Sequence, residues 1–405
     1  MTGTELIGQL RRKGLLYWVR VVVLMAIGTV VGDWLGRQEI WVDLRYRIYQ
    51  AQHASGPRKP LAERTAVVLI GDDEYWKGEL GRRVPIKRRY LAKLVRELDS
   101  ANPAVIALDF DLASPLPDGS LVEHSDYRPE KTELLNVIKR ASMRRKIVLP
   151  RTVDLDEQQR YVLRSDIYDR FDFGKGRQNI YMGYIALPYD IRQVPLTLKL
   201  HGGGSVDSFA TAIVRAYHAK ALLRVPEGDS LPYGSYLRAG EFRQLSARDV
   251  LKGRRETLEQ LAHKIVILGG AWHKQGYGRG DQIDTYFTPV GWIGGAFIHA
   301  NYVEALLDGR VYEALDERIV KGIEIILVLL GAMIFALEIR PSRKWMAASV
   351  LCVILVVVNY FILQNLGEFF DFFVPLVLIA AHAVLDQVLE WRSLAVAYRN
   401  LQEGH

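Results

Sequence analysis

Long apolar runs at both ends of the chain constrain its fold more than any other feature. One run occupies residues 15–35, and three more occupy residues 319–337, 346–366 and 369–389. A helix needs about 20 predominantly apolar residues to cross a hydrocarbon core of roughly 30 Å. The sequence therefore predicts a base of four transmembrane helices, with one helix before a long middle section and three after it.

Two basic clusters predict the orientation of this base. Arg11, Arg12 and Lys13 precede the first run, and Arg340, Arg343 and Lys344 lie between the second and third runs. Positively charged loops stay in the cytoplasm, so both termini are expected to be cytoplasmic. The predicted layout is a cytoplasmic N-terminus at 1–14, a first transmembrane helix at 15–35, an extracytoplasmic domain at 36–317, three transmembrane helices within 318–389 and a cytoplasmic tail at 390–405.

The net charge and the single cysteine exclude some classes of protein. Lys and Arg number 53 against 46 Asp and Glu, which gives a net charge of +7. The basic residues flank the apolar runs or mix with acids, so we assign them to membrane lipid and not to nucleic acid. Cys352 is the only cysteine, which excludes an intrachain disulfide and a cysteine-based metal site.

The middle section alternates short apolar runs with amphipathic stretches. Apolar, β-branched runs predict buried strands, and apolar residues at a spacing of three and four predict helices. This alternation predicts an α/β domain with a mainly parallel sheet flanked by helices. The predicted strands are 65–70, 104–110, 146–149, 183–187 and 264–268, and the predicted helices are 87–98, 133–143, 208–223 and 295–307.

Acidic residues follow several of the predicted strands. Asp72 and Asp73 follow the first strand, Asp109 and Asp111 close the second, and Asp281 and Asp284 come after strand 264–268. In a parallel sheet these acids gather at the carboxyl edge, where open α/β folds bind ligands. Such a cluster could hold a divalent cation or grip the polar groups of a ligand. The alternative is that they cap turns and helices, which the same positions favour.

No catalytic pattern appears, and we predict no enzymatic activity and no bound cofactor other than a divalent cation. The sequence lacks the H-E-x-x-H and G-x-S-x-G motifs. Its glycine-rich stretches lack the frame of a nucleotide-binding loop. His299 lies among apolar residues in a predicted helix, where a histidine of the core is the common occurrence.

Ionisable residues within the apolar runs predict a polar seam. Arg20 matches Glu338 and Asp386 in depth near the cytoplasmic side, and Asp33 matches Lys321 near the outer face. His382 and Asp386 share one helical face. Charges inside a membrane are costly, so we expect these residues to couple the first span to the last. The alternative is that Arg20 and Asp33 extend to the nearest interface.

The tail carries one apolar stripe. Trp391, Leu394, Tyr398 and Leu401 recur at helical spacing after the last apolar run. The stripe predicts docking of a partner or contact between protomers of a homo-oligomer. The alternative is that Trp391 and Tyr398 are anchors at the lipid headgroups, which fits Trp391 better than Tyr398 because Tyr398 lies further along the helix.

An ordered set of motifs resembles a known family. The set comprises VDLRYR at 42–47, a strand ending in Asp72 and Asp73, AVIALDFDLASP at 104–115, KIVILGG at 264–270, GAFIHAN at 295–301 and the closing apolar runs. Together they resemble the second type of CHASE domain, an extracellular sensory domain associated with cyclases and histidine kinases. The resemblance implies a multi-pass sensor in the bacterial cytoplasmic (inner) membrane. Only sixteen residues follow residue 389, so the effector is expected to be a separate cytoplasmic protein.

Two functions from different classes follow from these observations. The first is a sensor or receptor subunit that passes an extracytoplasmic signal through its helices to a cytoplasmic effector. The second is a non-sensing structural or assembly subunit, an oligomeric scaffold of an envelope complex. A cavity of ligand size lined by the acids would favour the sensor, and a filled sheet edge would favour the scaffold.

Overall fold

The computed structural model describes residues 62–113, 127–187, 194–218, 236–288, 290–308 and 341–366, with isolated positions in 15–51 and 318–396. Two compact units make up the chain. One is His53–Ala314, and the other combines Met1–Gln52 with Leu315–His405.

A six-stranded parallel sheet forms the centre of the His53–Ala314 unit. Its spatial order is β6-β3-β2-β10-β1-β9, and each neighbouring pair is parallel. The predicted mainly parallel sheet flanked by helices is thus confirmed. The strands are β1 Thr65–Ile70, β2 Val105–Leu108, β3 Lys146–Arg151, β6 Ile180–Tyr184, β9 Arg243–Ser246 and β10 Ile265–Gly270.

The central strands are apolar on both faces because helices cover both faces. Val67 pairs with Ile267 in β10, and Ile267 pairs with Ala107 in β2, all three with no exposed surface. Val68 and Leu268 belong to a core cluster that also contains Leu91 and Leu94 of helix α1, Arg88–Ser100. Thr65 points to the opposite face of β1 from Val68, and its side chain donates a hydrogen bond of 2.7 Å to Glu304 of helix α6, Gly295–Leu307. Successive strand residues point to opposite faces, so α1 and α6 lie on opposite sides of the sheet.

The helices are α1 Arg88–Ser100, α2 Tyr127–Ser142, α3 Phe209–Tyr217, α4 Ala247–Leu251, α5 Arg255–Glu259 and α6 Gly295–Leu307. Helix α1 packs on α2 and α4, whereas α3 packs on α6. Gly183 of β6 permits close packing of α3, because a Cβ there would lie 2.7 Å from the Cα of Phe209. The predicted helix at 295–307 has the bounds of α6.

Three short hairpins complete this unit, with strands β4 Val153–Leu155, β5 Tyr161–Leu163, β7 Thr197–Lys199, β8 Ser205–Asp207, β11 Thr285–Thr288 and β12 Gly291–Gly294. A π-helical turn at Asp73–Lys77 and 3-10 turns at Gly174–Asn179 and Ala239–Glu241 connect other elements.

Some predicted bounds differ from the observed ones. The strand predicted at 183–187 is β6, which begins at Ile180 because it pairs with β3 from Ile147 onwards. The edge strand β9 was not predicted. It pairs with β1 on one side only, and its residues are partly exposed, so they form no continuous apolar run. The predicted helix 208–223 corresponds to α3, whose described part ends at Tyr217.

In the second unit, helix α7 covers Pro341–Leu366. It contains the predicted span 346–366. Large apolar side chains along it are exposed, among them Met346, Val350, Val353, Ile354 and Phe361. Within the described part of the chain, no helix combines the length and the apolarity that crossing a membrane requires.

Candidate ligand-binding site at the carboxyl edge of the sheet

A cavity of about 610 Å³ opens at the carboxyl edge of the sheet. Its wall includes residues that end or follow four adjacent strands: Ile185 after β6, Thr152 after β3, Asp109 after β2 and Gly270 at the end of β10. Ligands of α/β proteins bind at this edge, and small-molecule sites typically have volumes of about 300 to 1,000 Å³. The cavity therefore has both the place and the size of a ligand site.

Asp109 is the most deeply placed acid in this wall. Its side chain is 7% exposed, and its Oδ1 lies 3.8 Å from Nε2 of His299, itself 4% exposed. Burial, followed by repulsion from Asp284, raises the pKa of Asp109 well above its ordinary value. Burial also lowers the pKa of His299 to about 4, and a hydrogen bond to the backbone of Ile185 acts in the opposite direction. At neutral pH His299 is therefore uncharged and does not neutralise Asp109.

Asp284 is the second acid of this pair. It takes a positive φ of 51°, and its backbone oxygen accepts a hydrogen bond of 2.7 Å from the Gly295 amide. A Cβ at Gly295 would lie 2.0 Å from Oδ2 of Asp284, so the carboxyl group sits directly against the first residue of α6. Asp284 is exposed as a residue, yet its carboxyl group is recessed in the wall. This burial raises its pKa to about 6, opposed by a hydrogen bond to Tyr286 and by attraction to Lys274.

Asp111 lines the same cavity, but its carboxyl group accepts hydrogen bonds from neighbouring residues. Its Oδ1 accepts hydrogen bonds from the Ala113 amide at 2.7 Å and the Thr152 hydroxyl at 2.9 Å. Its backbone oxygen accepts a hydrogen bond of 2.9 Å from Nη2 of Arg88. Asp111 therefore shapes the wall and positions Arg88 behind it.

Three arginines contribute to the wall. Arg83 forms a bidentate ion pair with Glu130. Glu130 also accepts a hydrogen bond from the backbone amide of Arg88 at the start of α1. Arg164 forms an ion pair with Asp154, with Nε lying 3.5 Å from Oδ2. Arg88 has no exposed surface, and burial lowers its pKa. A hydrogen bond and attraction to Tyr127 oppose this effect of burial.

Aromatic side chains complete the wall. Tyr75 stacks on Trp272 with ring centroids 4.3 Å apart and planes at 10°. Tyr286 also lines the cavity, as do the apolar residues Ile86, Ile185 and Ile283. The wall thus combines apolar surface with a few polar groups, as ligand sites usually do.

Asp72, Asp73 and Asp281 do not line the cavity. Asp72 accepts hydrogen bonds of 2.8 Å from the amides of His273 and Gly278, and its Oδ2 lies 2.7 Å from Nδ1 of His273. Although burial acts to raise it, these bonds lower the pKa of Asp72. Asp73 accepts a hydrogen bond of 2.8 Å from the Tyr277 hydroxyl, and Asp281 is exposed. Asp72 and Asp73 hold the 273–278 loop, which matches the alternative of turn-capping acids.

The structure therefore brings together half of the predicted acids: Asp109, Asp111 and Asp284. Among the residues it describes, no group of three or more His, Cys, Asp and Glu side chains has a metal-binding arrangement. The predicted coupling residues all lie outside the described residues: Arg20, Asp33, Lys321, Glu338, His382 and Asp386. So do Leu394, Tyr398 and Leu401 of the predicted docking stripe, whereas Trp391 is described and is 71% exposed.

Sequence reasoning missed the aromatic and basic parts of the wall. Tyr75 and Trp272 each follow a strand by a few residues, as the acids do, so the same rule could have found them. Arg83 and Arg88 reach the site from the segment before α1 and from its first residue, which the strand-end rule does not cover. The contact between His299 and Asp109 depends on how α6 lies on β1 and β10, and no local pattern encodes that.

A family model now adds to this geometry. The model for the CHASE2 domain matches residues 21–337, most of the chain. The chain belongs to the CHASE2 family. No curated protein and no solved structure gives a match. CHASE2 is a family of sensory domains, and the resemblance found in the sequence is confirmed.

Proposed function

We propose that this CHASE2 protein is a bacterial membrane sensor whose α/β domain binds a small molecule in the cavity at the carboxyl edge of the sheet. The observation that carries the proposal is the cavity itself. A volume of about 610 Å³ with a mixed apolar and polar wall suits a small molecule. A scaffold would not need an open cavity at this edge.

The proposal places the α/β domain outside the cytoplasmic membrane. It rests on the four apolar runs and the two basic clusters of the sequence. The exposed apolar side chains of α7, such as Val353 and Phe361, support it, because lipid would cover such a surface. Both termini would then be cytoplasmic.

The proposal further assigns the output to a separate cytoplasmic effector, which contacts the stripe of Trp391, Leu394, Tyr398 and Leu401. The protein itself has no enzymatic role in this scheme. Self-association of the membrane helices provides a route by which a change at the cavity reaches the tail.

Blocking the cavity tests the binding step. Ala186 is exposed and lines the cavity, so Ala186→Trp fills the site without disturbing the core. Ala262→Trp, which does not line the cavity, is the matched control. A library of small metabolites is screened by thermal unfolding of the full chain in detergent. A compound that stabilises the wild type and Ala262→Trp but not Ala186→Trp supports a cavity sensor. Equal stabilisation of all three proteins places binding elsewhere and contradicts the proposal.

Affinity purification from the native host tests the output step. The full chain is compared with the double variant Tyr398→Ser/Leu401→Ser and with the control Gln402→Ala. A cytoplasmic kinase, cyclase or other effector that is lost only with the double variant supports signalling to a separate protein. Recovery of only envelope proteins, equally with all three, favours the structural or assembly subunit.

A further inference from the structure

Asp109 presents a buried carboxyl group to the cavity without a hydrogen-bond partner. Its side chain is more than nine-tenths buried and lines the cavity. Within the described part of the chain, no donor lies within hydrogen-bond distance of its carboxyl oxygens; Nε2 of His299, at 3.8 Å, is too far. A buried polar group without a partner is costly, so a partner from the ligand would relieve that cost.

Asp284 lines the same cavity and has a single hydrogen-bond partner in the part of the chain that the structure describes. Both acids line one cavity, and repulsion from Asp284 is the second cause, after burial, of the raised pKa of Asp109. The partner of Asp284 is the Tyr286 hydroxyl, and Lys274 attracts it only from a distance. Neither acid has an ion pair with a Lys or Arg among the described residues. The pair therefore lacks a compensating positive charge.

The arginines of the wall contact other groups and not the two acids. Arg83 pairs with Glu130, Arg164 with Asp154, and Nη2 of Arg88 with the backbone oxygen of Asp111. Arg88 has no exposed surface, so it does not offer a charge to the ligand or to the acid pair.

The wall around the pair suits an organic cation better than a metal ion. Ca²⁺ takes six to eight oxygen ligands, far more than two carboxyl groups supply. Tyr75, Trp272 and Tyr286 bring aromatic rings to the cavity, and aromatic faces attract ammonium and guanidinium groups. The large, partly apolar cavity has space for the carbon skeleton of such a ligand.

We infer that the cavity binds an organic cation whose ammonium or amidinium group lies between the carboxyl groups of Asp109 and Asp284. This inference rests on the proposed sensor function and names the ligand class of the same cavity. Binding displaces the proton of Asp109 into solution, because the cation pairs with the ionised carboxylate. Affinity therefore increases with pH over the range in which the free Asp109 is protonated.

Matched ligands test the charge requirement. The full chain is screened by thermal unfolding and calorimetry against a panel of small primary amines and amidines. Each compound has a neutral counterpart with a hydroxyl group and an anionic counterpart with a carboxylate, for example phenethylamine, 2-phenylethanol and phenylacetate. We expect at least one cation to bind at least tenfold more tightly than its neutral counterpart, with no binding of the anion alone.

Three conservative variants locate the interaction. Asp109→Asn and Asp284→Asn keep the shape of each side chain and should each weaken the cation at least tenfold. The control Asp281→Asn, in the same loop region but exposed, should change affinity less than twofold. Calorimetry in two buffers of different ionisation enthalpy should detect proton release on binding to the wild type, and Asp109→Asn should reduce it to the part that Asp284 contributes. The unliganded unfolding temperature of each variant verifies that it is folded.

The outcomes separate this inference from the sensor proposal. If no cation binds more tightly than its neutral counterpart, or if cation binding is unchanged in both Asp109→Asn and Asp284→Asn, the inference is overturned. If a neutral or anionic compound binds and Ala186→Trp abolishes that binding, the cavity is still a sensor site but the ligand class is wrong.

Discussion

Asp72 and Asp109 both follow strands at the carboxyl edge of the sheet and differ in what surrounds their carboxyl groups. Asp72 follows β1 and receives two backbone hydrogen bonds and one contact with His273 from the 273–278 loop. Asp109 follows β2 and receives no hydrogen bond from the described residues. The comparison shows that the sheet brings an acid to the edge, whereas the loops around it determine whether its carboxyl group receives hydrogen bonds.

The largest expected effect comes from removing the satisfied acid. Asp72→Ala leaves two amides and a histidine without their acceptor, so we expect a loss of about 3 kcal/mol in the free energy of unfolding. Urea denaturation of the full chain measures it. Asp72→Asn retains one acceptor oxygen and should lose less. A change below about 0.5 kcal/mol for Asp72→Ala would contradict the assignment of Asp72 as the residue that holds this loop.

A second variant tests how tightly Asp284 is held. Gly295→Ala places a Cβ 2.0 Å from the present position of Oδ2, so the carboxyl group must move. We expect a cost of about 1 to 3 kcal/mol, the usual cost of overpacking, together with loss of cation binding. Urea denaturation and calorimetry measure the two effects. Gly240→Ala is the control, since no atom lies within 4 Å of a Cβ there. Equal behaviour of both variants would mean that Asp284 is free to move.

Removing the unsatisfied acid should have the opposite sign. Asp109→Asn eliminates the repulsion with Asp284 and the burial of an ionisable group. We expect the free energy of unfolding without ligand to increase by about 1 kcal/mol at pH 8, whereas Asp72→Asn decreases it. Urea denaturation of the two variants compares them directly. A decrease for Asp109→Asn as large as that for Asp72→Asn would show that Asp109 has a structural partner.

The two sites should also respond to pH in opposite directions, which is the smallest of the expected effects. The folded pKa values of Asp109 and Asp284 lie above the ordinary 3.8, so the folded state binds more protons than the unfolded state. The contribution of this pair to the free energy of unfolding therefore decreases as the pH rises from about 4 through about 6 and beyond. The folded pKa of Asp72 lies below 3.8, so its contribution is present above that pH and is lost as the pH falls through the folded value.

Unfolding temperatures measured from pH 4 to pH 8 detect the contribution of the pair. The double variant Asp109→Asn/Asp284→Asn should show a smaller decrease across this range than the wild type. Asp281→Asn, an exposed control, should follow the wild type. Identical profiles for the double variant and the wild type would mean that the two acids titrate with ordinary pKa values.

Much of the fold could be predicted from local patterns. The run TAVVLI has the bounds of β1, and GAFIHANYVEALL has the bounds of α6. Short apolar runs that alternate with amphipathic stretches indicate a parallel sheet covered on both faces, because only such strands are buried on both sides. β9 escaped prediction because an edge strand needs no continuous apolar run.

Only part of the candidate site could be predicted. The rule that ligands bind after parallel strands identified Asp109, Asp111 and Asp284, but it also selected Asp72, Asp73 and Asp281, which do not line the cavity. The rule locates the backbone of each acid and says nothing about the loops that supply donors. The contribution of Arg83, Tyr75 and Trp272 depends on segments that converge only in three dimensions.

By itself the sequence determined the α/β class, the family and the apolar runs at both ends, because each of these depends on residue types at regular spacing along the chain. The tertiary structure alone decided which acids are satisfied and which face a cavity. Hydrogen bonding and burial depend on groups distant in the sequence, such as His273 for Asp72 and His299 for Asp109. The state of a carboxyl group is therefore a property of its neighbours in space, and those neighbours are assembled by the fold.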